Sequence, residues 1–348
     1  MRILFACERS AGHTFPALAV AQKISSVAQG TDSQDNFAIY FFVTSKNLKQ
    51  YVKKEGYLTL GKHLPCRCLI VEGILRFFEA VWILLRLRPE KVIGFGGRDS
   101  FFLILLSKLF FIKTVLYEPN VALGRANKLL IRFVPKVLQG FPGKQFCAKS
   151  LVVGVPLRKS LTKLDKPAAR KILNFDQTPV IFCCGGSQGA RFLNQVFLRF
   201  IEKFNRQCQV IHLTGQDKYF EIYQNYNKIT HKSFVKDFYY NVEILYSAAD
   251  IVVSRAGALT LSEISYYGLA ALLIPHPAGF GHQMKNALYF QEKGAALVCP
   301  EKDFSYSDFS SSLERLVSDC DFRKNLADQA GKINLGVGFE DLDITPFY

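Results

Sequence analysis

The sequence predicts an α/β protein built from two Rossmann-like domains in tandem, with a cleft between them. Three observations carry this. Short apolar runs alternate with longer helical patterns along the whole chain. Glycine-rich turns follow several of those runs. At 348 residues the chain is too long for one ordinary core and comfortable for two.

In the first half the strand candidates are residues 2–6, 37–43, 68–71, 91–95, 114–117 and 136–140. In the second they are 180–184, 210–213, 251–253, 271–275 and 296–299. Strand, helix and strand repeated this way argue for parallel sheets with helices on both faces. The break falls near 151–156, before the polar stretch 158–171. The expected division is a first domain over 1–150, a second over 151–330, and a tail over 331–348 open to packing back on the first. Ligands of such sheets bind at the carboxyl ends of the strands. Facing ends would therefore make a two-substrate site.

Composition bounds the function. Hydrophobic content is 49% and charged content 21%, which is globular and not disordered. The net charge of +15 is uneven. Residues 1–150 hold 22 Lys and Arg against 9 Asp and Glu, whereas residues 151–348 hold 22 against 20. Such an excess points to an anionic substrate, an anionic membrane surface or a nucleic acid, and no nucleic-acid motif is present. The nine cysteines, with Cys183 and Cys184 adjacent and Cys66 close to Cys68, have no zinc or disulfide spacing and read as reduced thiols. The first six residues are too short for a signal core and run into Glu8 and Arg9. The most apolar stretch, 101–117, is interrupted by Lys108 and Lys113, so no spanning helix is expected.

The second half offers three polar strand–helix junctions. After the apolar run ending in Cys184 comes Gly185-Gly186-Ser187-Gln188-Gly189-Ala190. Glycines there let the backbone approach a ligand, and the helix start aims N–H groups at an anion. The second junction is Ser254-Arg255-Ala256-Gly257, leading into Ala258-Leu259-Thr260-Leu261-Ser262-Glu263. Thr260 and Ser262 are candidate donors to phosphate, and Glu263 is a candidate acceptor from ribose hydroxyls. At the third, Gln283 and Asn286 can both donate and accept, which suits sugar hydroxyls.

The segments GGSQGA, SRAGALTLSE and HQ-x-KNA, in this order, resemble the MurG family of N-acetylglucosaminyltransferases. The resemblance implies the GT-B arrangement, UDP-N-acetylglucosamine as donor, and no bound cofactor or dedicated metal motif. It places Ser187 at the diphosphate, with Gly186, Gln188 and Gly189 shaping that loop. It puts Arg158 on the donor side, the backbone of Val235 against uracil, 258–263 around phosphate and ribose, and Gln283, supported by Asn286, at the sugar. Ser10, Ala11, Gly12 and Asn120 join the donor set by the same matching.

The first half departs from the family pattern. The family's G-G-T-G-G-H loop corresponds to the run from Glu8 to His13, where Glu8, Arg9 and Ala11 stand in place of glycines. A helix is expected to begin at Phe15-Pro16. Gly96-Gly97-Arg98-Asp99-Ser100 is similar to the family's G-G-Y-x-S, with Arg98 and Asp99 replacing the tyrosine and its neighbour. Glu118-Pro119-Asn120, with Gly124 and Asn127, is similar to E-Q-N-x-x-x-G-x-x-N. Arg9, Gly96, Gly97 and Asn127 are assigned to the acceptor side, where Arg9 would supply charge and Glu8 would repel phosphate.

Apolar and basic residues interleave over 74–88 and 101–113. This suits peripheral helices on an anionic leaflet, and hence a polyprenyl-pyrophosphate-linked acceptor. The resemblance implies the cytoplasmic side of the bacterial inner membrane, peptidoglycan synthesis, and room for cell-wall synthesis proteins as partners. The chemistry would be inverting attack of an acceptor hydroxyl through an oxocarbenium-like transition state, with His13 as candidate base or as a group orienting acceptor phosphate. Two alternatives stay open. One is a related transferase with another sugar or a glycolipid acceptor. The other is a UDP-sugar-binding protein without transfer activity.

Overall fold

The computed structural model describes all residues except 8, 30–37, 65–67, 144, 187–188, 216–217, 278–280 and 348, and the side chains of Gln29 and Leu69. Two compact units result: residues 1–159 with 337–348, and residues 160–336.

The N-terminal unit runs β1 (Arg2–Ala6), α1 (Ala11–Gln29), β2 (Ala38–Phe42), α2 (Lys46–Lys54), β3 (Leu58–Leu60), α3 (Leu69–Leu87), β4 (Lys91–Gly94), α4 (Phe101–Leu109), β5 (Lys113–Glu118), α5 (Arg125–Leu130), β6 (Lys136–Gln139), β7 (Ser150–Val152) and β8 (Val155–Pro156). Seven strands form one sheet in the order β3-β2-β1-β4-β5-β6-β7, every pair parallel. β1 shows why both faces are covered. Ile3 and Phe5 pack with Ala17, Val20, Phe41 and Phe95, whereas Leu4 and Ala6 pack with Ile83, Leu84, Leu103 and Ile104. Period-two alternation thus feeds two cores at once. The last residues join the first of these, where Phe347 is buried and stacks on Phe95 at 6.5 Å.

Two expectations are corrected here. Residues 68–71 are not a strand, because Leu69-Ile70-Val71 opens α3. A short apolar run fits either element, and burial of Ala80, Ile83 and Leu84 shows helical spacing. The edge strand is instead β3, paired with β2. The first helix also begins earlier than Phe15. Ser10 O accepts from His13 N and Thr14 N at 3.3 and 3.2 Å, so Ala11, Gly12 and His13 form its first turn. Pro16 is carried inside that helix.

The C-terminal unit runs α6 (Lys166–Ile172), β9 (Val180–Cys184), α7 (Arg191–Lys203), β10 (Gln209–Leu213), α8 (Tyr219–Tyr226), β11 (Ser233–Lys236), α9 (Val242–Ala248), β12 (Ile251–Ser254), α10 (Ala258–Tyr267), β13 (Ala270–Leu273), α11 (His282–Glu292), β14 (Ala296–Val298), α12 (Tyr306–Ser318) and α13 (Cys320–Ile333). Its six-stranded sheet is parallel, in the order β11-β10-β9-β12-β13-β14. Both sheets follow the doubly wound order 3-2-1-4-5-6. The order reverses between β1 and β4 in one unit and between β9 and β12 in the other, and ligands of such sheets bind at that switch point.

Candidate functional site

In the C-terminal unit the two strand ends at the switch point are Cys184 and Ser254, which are register partners. Beyond Cys184 the chain turns through Gly185, Gly186 and Gly189 into α7. Gly189 has φ +67, and a Cβ on it would collide with the backbone carbonyl of Thr214. No other residue fits there. Gly186 has φ +81 with open space around it, so here the constraint is conformational alone. Ser187 and Gln188 lie outside the described residues. The starts of α7 and α10 have no side-chain cap and no acid in the first turn. Their first-turn N–H groups and positive dipole ends are therefore left for an anion.

Across the switch point, Ala258 and Leu261 are buried, whereas Leu259 and Thr260 are partly exposed. Ser262 departs from expectation. It is fully buried, and its hydroxyl donates to Leu259 O at 2.6 Å. Its proton is committed to the helix and not to a phosphate. Glu263 is buried and accepts from the Tyr246 hydroxyl at 2.7 Å. Burial, and then the charge of Glu263, push the Cys184 thiol up to about 12. The Tyr246 ring packs on Phe182 of β9 at 5.1 Å, so the carboxylate it holds lies near that strand.

At the third junction Gln283 Oε1 accepts from His276 N at 2.9 Å, which fixes its amide. Asn286 is fully buried and donates to Ala256 O at 3.2 Å, tying α11 to the loop after β12. Val235 lies on the edge strand β11. The β10 ladder takes the carbonyls of Lys232 and Lys236 at 2.9 and 3.0 Å, so by alternation the main-chain groups of Val235 face the open edge.

Arg158 belongs to the N-terminal unit. Its guanidinium lies 4.3 Å over the Phe15 ring and donates to the Tyr51 hydroxyl at 2.9 Å, and its buried Nε has no hydrogen-bond partner among the described residues.

The N-terminal switch point gathers Arg9, Ser10, Ala11, Gly12 and His13 after β1, and Gly96, Gly97, Arg98 and Asp99 after β4. Gly96 and Gly97 have φ +92 and +97. A Cβ on Gly96 would sit 3.1 Å from Asn127 Nδ2 and 3.5 Å from His13 Nε2. The absent side chain leaves a niche bounded by that imidazole and that amide. His13 Nδ1 shares a 2.9 Å hydrogen bond with Ser10 Oγ. The Asn127 Oδ1 atom is buried and accepts no hydrogen bond from the described residues.

Glu118 is the residue that sequence reasoning underused. Its buried carboxylate accepts from Asn120 N and Nδ2 at 3.1 and 2.8 Å, from Gly124 N at 2.9 Å and from Asn127 Nδ2 at 2.8 Å. It therefore holds both asparagines of its motif. Glu8 lies outside the described residues. Among the described residues, no group of three or more His, Cys, Asp or Glu could hold a metal ion.

Two family models match. The glycosyltransferase family 28 N-terminal domain covers residues 3–139, and the family 28 C-terminal domain covers residues 180–339. A UDP-N-acetylglucosamine--N-acetylmuramyl-(pentapeptide) pyrophosphoryl-undecaprenol N-acetylglucosamine transferase from Thermoanaerobacter sp. (strain X514) is 32% identical, over 96% of both chains. The protein of the same description from Coxiella burnetii (strain Dugway 5J108-111) is 31% identical, over 95% of this chain and 94% of its own. The crystal structure of Acinetobacter baumannii MurG superposes with a TM-score of 0.76 at 23% identity, covering 97% and 96% of the two chains, and so supports the fold. The chain belongs to the MurG family of N-acetylglucosamine transferases, within glycosyltransferase family 28.

Proposed function

We propose that the chain transfers N-acetylglucosamine from UDP-N-acetylglucosamine to the muramyl sugar of undecaprenyl-pyrophosphoryl-muramyl-pentapeptide, inverting the anomeric carbon. The relatives' shared description over nearly their full length carries this reading. The C-terminal switch point suits the donor. Uncapped α7 and α10 would meet the diphosphate, Glu263 the ribose, the edge backbone of Val235 the uracil, and Gln283 the sugar. As UDP leaves it gains negative charge, which fixed N–H dipoles stabilise without reorganising. The reading calls for no bound metal or cofactor.

The N-terminal switch point suits the acceptor. If His13 Nδ1–H donates to Ser10 Oγ, the Nε2 lone pair faces the niche at Gly96 and can take the proton of an attacking hydroxyl. A second hydroxyl of the acceptor sugar could donate to Asn127 Oδ1, which has no donor among the described residues.

No helix of the described residues is long and apolar enough to cross a membrane. Yet Ile70, Ile74, Phe78, Trp82 and Leu85 form an exposed stripe along α3, joined by exposed Leu109 and Phe111 at the end of α4. Arg86 lies over the Trp82 ring at 5.5 Å. An apolar stripe with Arg86 at its edge fits an anionic leaflet, which supports peripheral attachment to a membrane; the cytoplasmic side of the inner membrane is what the family resemblance implies. Incubation with UDP-N-acetylglucosamine and a prenyl-pyrophosphoryl-muramyl-pentapeptide tests the function. The disaccharide product is expected. Turnover only with another sugar or lipid, or donor binding without transfer, would replace this reading.

A further inference from the structure

Three places where the chain departs from its family's loop pattern, Arg9, Arg98 and Asp99, meet in one ion-pair network through Glu72. Arg9 Nη2 donates to Asp99 Oδ1 at 3.0 Å and to Glu72 Oε1 at 3.1 Å. Arg98 Nη2 donates to the other oxygen of Glu72 at 2.8 Å. Asp99 is held from below by the Thr44 hydroxyl at 2.7 Å and faces Arg76 at 3.7 Å. The charges are layered. The side chains of Glu72 and Asp99 are 6% and 1% exposed, whereas those of Arg9 and Arg98 are 49% and 56% exposed. Buried carboxylates orient the two guanidiniums, and an incoming anion meets the guanidiniums first.

The pair also stands in an informative place. Arg9 follows β1 and Arg98 follows β4, so they flank the switch point from its two sides. The carboxylate that bridges them, Glu72, lies in the first turn of α3. One turn on from Glu72, on the same helix face, Leu75 is exposed. A phosphate reaching the pair would therefore have an apolar side chain on the same helix face as the anchoring carboxylate. All contacts of Arg9 named above run through Nη2, and its Nε and Nη1 carry three further N–H groups. Guanidinium forks suit phosphoryl oxygens.

We propose that Arg9 and Arg98, anchored on Glu72 and Asp99, form a two-arginine clamp for the diphosphate of a prenyl-linked acceptor. The clamp does with side chains what a bare glycine loop would do with backbone N–H groups. This rests on the transfer reading above. A phospholipid headgroup shares the phosphate chemistry and is the competing source.

The test uses the full-length protein. Arg98→Gln removes an exposed group with little structural risk. Arg9→Lys keeps the charge that balances Asp99 and loses the fork. The wild type must first form product with a short-chain prenyl-pyrophosphoryl-muramyl-pentapeptide; failure there sinks the transfer reading itself. Given product, each variant should raise the acceptor KM by roughly tenfold, the scale of a lost charge-assisted contact. The donor KM, the thermal midpoint and co-sedimentation with phosphatidylglycerol vesicles should stay unchanged. An unchanged acceptor KM overturns the clamp. So does loss of vesicle binding without a change in acceptor KM, which identifies a headgroup site. A fall in thermal midpoint with donor and acceptor KM rising together assigns the network a structural role only, and overturns it too.

Discussion

The two sheets have one strand order and opposite switch points. In the C-terminal unit the crevice is lined by glycines and by helix starts that carry no acid and no cap. Its positive character comes from backbone dipoles. In the N-terminal unit the equivalent loops carry Arg9, Arg98 and Asp99, tied to Glu72 in an interlocked ion-pair network. Its character comes from side chains, and Gly96 makes room for His13 and Asn127. On the proposed reading, the same architecture would hold anions in two ways. Backbone sites tolerate little change in the loop, whereas side-chain sites can be rebuilt by paired substitutions.

The comparison breaks most sharply at His13. If the N-terminal crevice serves the acceptor and its proton, His13→Ala should lower turnover by about 100-fold or more, the range of a lost general base. Affinity for UDP-N-acetylglucosamine, measured by titration calorimetry, should change little. Unchanged turnover would remove His13 from the chemistry. Weakened donor binding would move the residue to the donor side.

The next test lies on the other crevice. Gly189→Ala introduces both a positive-φ alanine and a clash with Thr214 O. Strain of this kind costs about 1–3 kcal/mol. The loop must shift to relieve it, so donor affinity should fall at least about tenfold by the same titration. Gly186→Ala, with similar φ and open space, should do less. Equal effects would mean that backbone conformation alone governs the loop, and that its close approach to Thr214 does not matter.

How much of this could be read from the residues follows the same division. β1 and β9 are legible to the residue, because strands buried on both faces are continuous apolar runs between turn signals. The edge strands β3 and β11 were not picked out. They are short, and Leu58 is exposed, so no apolar run announces them. Residues 69–71 gave a strand signal because three apolar residues carry no period of their own. The loops proposed for the donor are visible as glycine and small-residue patterns. The role of Glu118 was not, because its partners Asn120, Gly124 and Asn127 converge only once β5 and α5 are in place. Ser262 misled for a related reason, since its hydroxyl partner is a carbonyl of its own helix. The pairing of Arg9 with Asp99 spans 90 residues, and no local pattern predicts it.

The smallest expected effect concerns the cationic load of the N-terminal unit at the opposite, amino-terminal edge of its sheet. Lys91 is buried, stands in register with Lys113, and is further repelled by Lys136. Burial first, and then those two charges, lower its ammonium to about 8. Between that value and the usual lysine range, the unfolded chain binds more protons than the folded one. Stability therefore rises as pH is raised through this window, and below about 8 the full cost of the buried charge is felt. Lys91→Met should raise stability at pH 7 by about 1 kcal/mol or more, and should flatten the rise of the urea midpoint between pH 7.5 and 9.5. Gln209 begins β10 in the C-terminal sheet, carries no charge, and meets Asp176 and Thr178 through its amide at 3.1 and 3.2 Å. Substitution there should leave that slope alone. If Lys91→Met left both the midpoint and its slope unchanged, the excess charge would be a solvated feature of the surface and not a cost borne inside the N-terminal sheet.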